Sequence, residues 1–197
     1  MKIIIISGTP GTGKTSISNK IAKFINAKVL TLNEIAISEE FTLKYDDKRD
    51  THVIDEDKLV PFLKNSIIEI QKENFDYLII ESHFSDMVPE EHIDFAIVLR
   101  CNPDVLYKRL EARGYNRDKI MENIQSEILG NCVDYLLQKQ MIIPILELDT
   151  TNLTIESSAR LIINLISGKE DIDKFSFGKI DWLQELNEAN RLNEFFD

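Results

Sequence analysis

Residues 3–18 read IIIISGTPGTGKTSIS, an apolar run that leads directly into a loop of glycines, hydroxyls and one lysine. The β-branched run predicts a strand that is buried on both faces. Residues 8–15, GTPGTGKT, match the pattern GxxxxGK[ST], and the apolar residues that follow have helical spacing. Strand, glycine-rich loop and helix in this order predict a phosphate-binding loop outside the carboxyl end of the strand.

In such a loop the backbone N–H groups converge on phosphate oxygens, and two side chains have distinct tasks. Lys14 can reach the β- and γ-phosphates of ATP, and Thr15 can place its hydroxyl on Mg²⁺. The N-terminus of the following helix adds a partial positive charge toward the anion. The alternative, a glycine-rich turn without a ligand, is disfavoured because strand, motif and helix all match.

The motif alone does not name a reaction. GTPases usually carry NKxD for guanine recognition, whereas the NKIA at 19–22 lacks the aspartate and lies on the first predicted helix. ATP-driven motors are usually longer than this chain of 197 residues. Its size therefore favours a small phosphotransferase.

Composition narrows the class of protein further. Hydrophobic residues make up 43% of the chain and charged residues 29%, which is ordinary for a globular protein. The formal net charge of −11 opposes a broad electrostatic grip on nucleic acid, although it leaves room for a local basic patch. Cys101 and Cys132 fit no metal or disulfide framework and are predicted to be reduced thiols. With no signal peptide and no apolar run near the roughly 20 residues of a membrane span, we expect a soluble, cytoplasmic protein without a membrane.

Strand-like and helix-like patterns alternate along the chain. Strands are predicted at 2–6, 27–32, 75–82, 94–101 and 141–149, and helices at 16–25, 54–74, 102–114, 117–140 and 154–167. Asp55 and Asn102 are predicted caps, and Pro61 is expected either to kink its helix or to begin it. This alternation predicts an α/β fold with a five-stranded parallel sheet and helices on both faces.

The alternation of strand and helix patterns ends at Gly168, and the segment that follows holds the only tryptophan of the chain. We divide the chain into a kinase domain, 1–168, and a C-terminal tail, 169–197. A short helix is favoured for the tail, with Trp182, Leu183, Leu186 and Phe195 packed on the body. A partly ordered tail is the alternative.

The third predicted strand ends in IIESH, where Glu81 is a candidate for the carboxylate that positions Mg²⁺, often through water. His83, two residues further on, could orient an attacking water or accept a proton near neutral pH. The alternative is a capping glutamate and a surface histidine. His52 and His92 have no motif around them and are interpreted as surface or packing residues.

A cluster of cations in RLEARGYNRDK (109–119) stands out in this acidic chain, and it consists of Arg109, Arg113, Arg117 and Lys119. Guanidinium groups suit phosphoryl oxygens and the charge that develops during phosphoryl transfer. A solvated helix face is the alternative, and for Arg109 the two interpretations are equally weighted. For Arg113 we favour the functional one, because Gly114 beside it could act as a hinge.

These motifs, in this order, resemble the atypical adenylate kinases, also called the coilin-interacting nuclear ATPase family. The resemblance covers about residues 1–165 and rests on GTPGTGKT, YDDKRDTHVIDEDKLV (45–60), ESH, and VLYKRLEARGYNRDKIMENIQSEI (105–128). It implies a P-loop fold of the nucleoside monophosphate kinase type, phosphoryl transfer from ATP to AMP, and ATP hydrolysis. It also implies a role in late maturation of the small ribosomal subunit and its rRNA, with binding to a small-subunit platform ribosomal protein and to the pre-ribosomal small subunit.

The resemblance assigns residues one by one. The ATP-binding loop comprises Gly11, Gly13, Lys14, Thr15 and Ser16. Arg113 falls on the lid arginine, residues 112–122 on a short lid, and residues 33–53 on the monophosphate-binding segment. The Asp-x-His of the family appears here as Glu81-Ser82-His83, in which the carboxylate side chain is one methylene longer. The tail beyond Gly168 has no clear counterpart.

The leading hypothesis is an ATP:AMP phosphotransferase that uses Mg·ATP, accepts AMP or another nucleoside monophosphate, and slowly transfers to water. Lys14, His83 and Arg113 are its candidate catalytic residues, and Thr15 and Glu81 its metal ligands. Two alternatives stay open. One is a kinase of another small metabolite, and the other is an assembly factor that uses ATP to switch its grip on a ribosomal protein and has little kinase activity.

Overall fold

The computed structural model describes residues 1–46, 51–84, 87–90, 93–140 and 142–196, so His92 and the middle of the segment 33–53 lie outside it. Within these ranges the strands are β1 (Lys2–Gly8), β2 (Ala27–Thr31), β3 (Thr42–Asp46), β4 (Thr51–Ile54), β5 (Tyr77–Glu81), β6 (Phe95–Arg100) and β7 (Ile145–Asp149). The helices there are α1 (Lys14–Phe24), α2 (Leu32–Ser38), α3 (Glu56–Gln71), α4 (Pro103–Glu111), α5 (Arg117–Ile128), α6 (Asn131–Gln138), α7 (Ile155–Ile166) and α8 (Trp182–Glu188).

Five strands form one parallel sheet in the order β2-β5-β1-β6-β7, which confirms the predicted α/β fold. β1 lies in the centre, with Ile6 paired to Glu81 of β5 and Gly8 paired to Leu99 of β6. Because the strands are parallel, the loops that follow β1, β5 and β6 leave from the same edge of the sheet. The functional groups predicted on those loops are therefore neighbours.

The isoleucines of β1 explain why the sheet carries helices on both faces. Ile3 and Ile5 pack with α3 and α6 on one side, while Ile4 and Ile6 pack with α1 and α7 on the other. All four side chains are at most 1% exposed. Burying a side chain of this size contributes about 1.5–3 kcal/mol, so the central strand anchors the whole layer structure.

A third apolar cluster joins α4 and α5 to the C-terminal tail. The tail contains the favoured short helix as α8, and Trp182, Leu186 and Phe195 are buried against the body. Leu183 is 40% exposed, so its predicted packing is wrong. Helical spacing explains the difference, because Leu183 follows Trp182 by one residue and faces away from the side that Trp182 and Leu186 share.

The predicted helix 117–140 is wrong as a single element. It consists of α5 and α6, separated at Gly130, whose φ of 72° lies in the left-handed region. The apolar residues keep helical spacing in the sequence across the turn, which hid this break, although those of α5 pack in the third cluster and those of α6 pack against the sheet.

Smaller departures concern strand and helix limits. α3 begins at Glu56 with Asp55 as its cap and contains Pro61, so the alternative in which the proline begins the helix is wrong. α4 has the predicted Asn102 cap. β7 begins only at Ile145, and the antiparallel hairpin of β3 and β4 was not predicted as strands.

In the part of the chain that is described, no helix has the length and apolar character needed to span a bilayer. Cys101 and Cys132 are both free and buried. Burial raises the pKa of Cys101 to about 11 and also raises the pKa of Cys132, so both side chains are protonated thiols at neutral pH.

Candidate nucleotide site

The glycine-rich loop joins β1 to α1, as predicted. Gly13 is the cap residue of α1 with a φ of 104°, and Lys14 is the first residue of the helix. The Lys14 ammonium is buried and donates to the carbonyl of Gly8 at 2.7 Å and to that of Thr9 at 3.2 Å. The lysine therefore lies folded over its own loop, where a phosphate group would offer stronger acceptors.

Gly11 brings the loop into contact with α4. A Cβ atom at this position would lie 2.7 Å from Cδ1 of Leu106 and 3.0 Å from Cδ2 of Leu110, so a larger residue would have to displace these two side chains of α4. Ser16, the last residue assigned to the loop, lies exposed in the first turn of α1. The loop thus continues directly from β1 of the sheet and contacts α4 through Gly11.

Thr15 and Glu81 meet at the edge of the sheet. The Thr15 hydroxyl donates to Oε2 of Glu81 at 3.1 Å, and Glu81 is 5% exposed. A hydroxyl and a carboxylate are hard oxygen donors, which suit Mg²⁺. The described residues hold no group of three or more His, Cys, Asp or Glu for a metal, which fits an ion whose other ligands are phosphate oxygens and water. The longer glutamate side chain still reaches Thr15.

His83 follows β5 on a turn that is fixed by neighbouring groups. Its carbonyl accepts from the Cys132 thiol at 3.9 Å, and its ring packs edge-on against Phe84 with 4.7 Å between centroids. Desolvation by surrounding protein atoms, with a smaller contribution from the Lys14 charge, lowers the pKa of His83 to about 4. The ring is nevertheless exposed to solvent, which moderates the effect of desolvation, and even its ordinary pKa of 6.5 leaves the imidazole mostly neutral at pH 7. Because a lowered pKa makes the imidazole a weaker proton acceptor, we favour the water-orienting role over the proton-accepting one, and the role of His83 stays a prediction.

Charges around Lys14 link the loop to the predicted lid. Burial lowers the pKa of Lys14, the nearby carboxylates of Glu81 and Glu127 oppose this, and the Arg113 cation lowers the pKa further. Arg113 itself is exposed in the turn between α4 and α5. Because the charge of Arg113 acts against that of Lys14, an anion bound between them would stabilise both cations.

The other three cations of the 109–119 cluster lie elsewhere. Arg109 donates to the carbonyl of Thr150 at 2.9 Å and to that of Thr151 at 3.3 Å, so it holds the loop after β7. Arg117 lines a surface cavity of about 610 Å³ between α4, α5 and the C-terminal tail. Lys119 lies over the ring of Tyr115, 4.7 Å from its centroid. The structure therefore brings Arg113, and not the whole cluster, into the electrostatic field of the loop.

Two polar groups beside the loop were missed by the sequence analysis. The Thr150 hydroxyl can donate to either of two carbonyls, that of Thr12 at 3.1 Å or that of Arg100 at 2.9 Å. The Thr9 hydroxyl donates to Oε2 of the buried Glu127 at 2.6 Å. A signal for Glu127 was present, because an acidic residue stands on the apolar face of α5, three residues after Ile124.

The segment 33–53 includes α2 and the hairpin of β3 and β4, while its residues 47–50 lie outside the described ranges. Large apolar side chains are exposed along it, with Leu43 at 67% and Ile37 at 49%. The hairpin bulges between Thr42 and Lys44. The segment thus offers an apolar surface, and its assignment to monophosphate binding stays a prediction.

Comparisons with known proteins show the family and the fold of this chain. A family model described as an AAA domain matches residues 4–130. A protein of Methanocaldococcus jannaschii named "Putative adenylate kinase" is 36% identical over 182 residues, which cover 92% of this chain and 93% of that protein. The Saccharomyces cerevisiae protein named "Adenylate kinase isoenzyme 6 homolog FAP7" is 37% identical over 131 residues, which cover 64% of this chain and 62% of that protein. The crystal structure of shikimate kinase from Bacteroides thetaiotaomicron has a TM-score of 0.54 at 20% identity, covers 84% of this chain and 98% of its own, and shares the fold.

Proposed function

This chain belongs to the AAA domain family, and to the adenylate kinase-like proteins among its relatives, and on this premise we propose that it transfers the γ-phosphoryl group of Mg·ATP to AMP or another nucleoside monophosphate. Transfer to water is its slower second reaction. Both reactions use one site at the carboxyl edge of the sheet.

The observation that carries the proposal is the contact between Thr15 and Glu81, 3.1 Å apart beside the buried Lys14. Phosphoryl transfer requires little covalent chemistry from a protein, and catalysis consists mostly of positioning and charge stabilisation. A lysine at the loop and a hydroxyl paired with a carboxylate supply the means for both.

Each residue has a role that follows from its chemistry. Lys14 exchanges the carbonyls of Gly8 and Thr9 for phosphate oxygens and stabilises their charge. Thr15 and Glu81 would hold Mg²⁺, directly or through water, and a bound Mg²⁺ neutralises charge on the phosphates. Arg113 binds phosphate from the turn between α4 and α5. The loop amides of Gly11 and Gly13, with the first turn of α1 that carries Ser16, orient the anion.

His83 is expected to matter more for transfer to water than for transfer to a nucleoside monophosphate. A nucleoside monophosphate is positioned by its own binding segment, for which residues 33–53 are assigned, whereas water has no such segment. The neutral imidazole of His83 accepts a hydrogen bond from the attacking water and fixes its direction. Hydrolysis is therefore the reaction that depends on His83.

We further propose that the protein acts in late maturation of the small ribosomal subunit, through direct binding to one of its platform proteins. Support comes from the resemblance of the motifs and from the net charge of −11, since ribosomal proteins are generally basic. The exposed Ile37 and Leu43 add apolar surface that a protein partner could cover. An assembly factor that uses ATP only to change its affinity for a ribosomal protein would share these features. A measurement of kinase activity is therefore needed to distinguish the two functions.

Product analysis tests the enzymatic proposal. Purified protein is incubated with Mg·ATP alone and with Mg·ATP plus AMP, and the nucleotides are separated and quantified. We expect two ADP formed per AMP consumed, at a rate well above the release of inorganic phosphate. Phosphate release with no consumption of AMP or any other nucleoside monophosphate would identify an ATPase without kinase activity and overturn the proposal.

A further inference from the structure

Glu127 is a buried carboxylate that connects the phosphate loop to the end of β6 and to the C-terminal tail. It lies on α5 and is 1% exposed. Its Oε2 accepts from the Thr9 hydroxyl at 2.6 Å. Its Oε1 accepts from Nε of Arg100 at 2.8 Å, from the backbone N–H of Cys101 at 3.0 Å and from Nε1–H of Trp182 at 3.2 Å. One carboxylate thus receives donors from the loop, from the end of β6 and from the C-terminal tail.

The C-terminal tail also makes hydrogen bonds to two buried charged residues beside Glu127, namely Arg100 and Glu147. Arg100 also donates to the carboxylate of Glu147 and, at 3.4 Å, to the carbonyl of Ile180. The backbone N–H of Gly178 donates to the other oxygen of Glu147 at 2.6 Å. Arg100 and Glu147 are both 4% exposed. Residues 178–182 therefore supply donors and acceptors that a buried ion group needs.

The bond to Thr9 has consequences for Lys14. The carbonyl of Thr9 accepts from the Lys14 ammonium at 3.2 Å and from the Thr12 hydroxyl at 2.9 Å. Fixing the Thr9 side chain therefore fixes the peptide group on which the lysine and the rest of the loop depend. A charge-assisted hydrogen bond in a buried site is among the stronger polar contacts, so it can select one arrangement of the loop.

We propose that Glu127 is a positioning residue of the phosphate loop, and that Trp182 of the C-terminal tail acts through it by completing its hydrogen bonds. The tail then affects the nucleotide site indirectly, through Glu127 and Thr9. The inference rests on the proposed function only in requiring that the loop bind ATP.

A purely structural role for the tail predicts something different. In that case, loss of the Trp182 hydrogen bond lowers thermal stability and leaves nucleotide affinity unchanged. If Trp182 acts through Glu127 and Thr9, its effect on affinity must disappear once the Thr9 hydroxyl is removed. A double-mutant cycle on the dissociation constant for Mg·ATP therefore separates the two.

Calorimetric titration with Mg·ATP is carried out on the full chain, on Thr9→Val, on Trp182→Phe and on the double variant, with the melting temperature of each. We expect Thr9→Val to raise the Kd about tenfold and Trp182→Phe to raise it about threefold. The double variant should bind no more weakly than Thr9→Val alone, and Thr9→Ser should restore affinity.

Gln125→Leu is the matched control, because Gln125 lies on α5 and also holds the tail, through a hydrogen bond to the carbonyl of Phe195 at 2.7 Å that does not involve Glu127. Its Kd should stay within about twofold of that of the unmodified chain. Should Trp182→Phe fail to fold, Glu147→Gln, which weakens the bonds to Arg100 and Gly178, takes its place in the cycle.

Three results would overturn the inference. They are an unchanged Kd in Trp182→Phe, effects of the two substitutions that multiply, and a Gln125→Leu effect as large as that of Trp182→Phe. Absence of Mg·ATP binding by the unmodified chain would instead refute the proposed function, so the two failures are distinguishable.

Discussion

Both proposed reactions depend on the side chain of Lys14. Its ammonium is buried over the loop and bonds only to loop carbonyls in the described structure. We predict that Lys14→Ala lowers kcat/KM for transfer and for hydrolysis by about 10²–10³, the typical loss of one charge-stabilising donor. Lys20→Ala on the same helix, where the ammonium pairs with Glu156 at 3.4 Å, is the control and should keep normal rates. Normal turnover by a folded Lys14→Ala protein would remove the phosphate-loop assignment.

His83 tests whether one residue can divide the two reactions. We predict that His83→Ala lowers the rate of ATP hydrolysis about ten-fold or more and the rate of transfer to AMP by much less, because only water lacks its own binding segment. Both rates are measured in the same preparation by nucleotide separation and phosphate release. His83→Asn, which keeps a hydrogen-bonding group, should recover part of the hydrolysis. An equal loss of both rates would show that His83 serves the metal or the fold.

The lowered pKa of His83 also predicts how stability depends on pH. Crowding by protein atoms, and secondarily the Lys14 charge, lowers its pKa from 6.5 to about 4 in the native state. Above pH 6.5 both native and unfolded states hold a neutral ring, and the residue has no pH-dependent effect. Between pH 6.5 and 4 the unfolded state takes up a proton that the native state does not, so the native state loses stability. The free energy of unfolding of the original protein should fall more steeply in this range than that of His83→Asn, and parallel curves would contradict the shift.

Residues in a fixed local pattern were predictable, and residues joined across the fold were not. Lys14, Thr15 and their loop followed from spacing alone, because the motif lies within one turn between a strand and a helix. Glu127 meets Thr9 and Arg100 across separations of 118 and 27 residues, and such contacts depend on how strands are ordered in the sheet. The pattern could have shown that Glu127 was buried, but not which donors would surround it.

At the scale of elements, apolar periodicity located the five strands of the parallel sheet and most helices. It could not reveal a turn across which the helical spacing of apolar residues continues. Gly130 interrupts the predicted helix 117–140 with a left-handed φ of 72°, and α6 begins directly after it. The hairpin of β3 and β4 was missed for the opposite reason. Its Thr42–Asp46 and Thr51–Ile54 are mostly exposed, so they lack the apolar alternation by which strands are recognised.

The break at Gly130 can be tested without touching the nucleotide site. An added Cβ would lie 3.9 Å from the Arg100 guanidinium, an ordinary contact, so the cost of Gly130→Ala is backbone strain alone. We predict a loss of about 1–2 kcal/mol in the free energy of unfolding, measured by urea titration. Gly130→Asn should lose clearly less, because asparagine tolerates this conformation. Equal losses in the two variants would indicate that side-chain volume, and not φ, sets the cost.

At the scale of the whole molecule, binding of the proposed partner should depend both on net charge and on the bound nucleotide. A chain of net charge −11 should associate quickly with a basic small-subunit protein, and added salt should slow that encounter because the Debye length shrinks from about 10 Å at 0.1 M to 3 Å at 1 M.

Nucleotide can change this affinity only if the bound surface differs between states. Under the proposed function, the segment assigned to monophosphate binding and the turn that carries Arg113 would border the bound nucleotide, and the exposed Leu43 gives that segment an apolar surface. We predict that the association rate falls at least ten-fold between 50 mM and 500 mM salt, and that Kd differs among the apo, ADP and ATP states. Surface plasmon resonance with an immobilised small-subunit platform protein measures both, with nucleotide affinity at each salt concentration as the control. Identical affinity in all three states, or no binding to any small-subunit protein, would leave a nucleotide kinase whose acidity serves solubility.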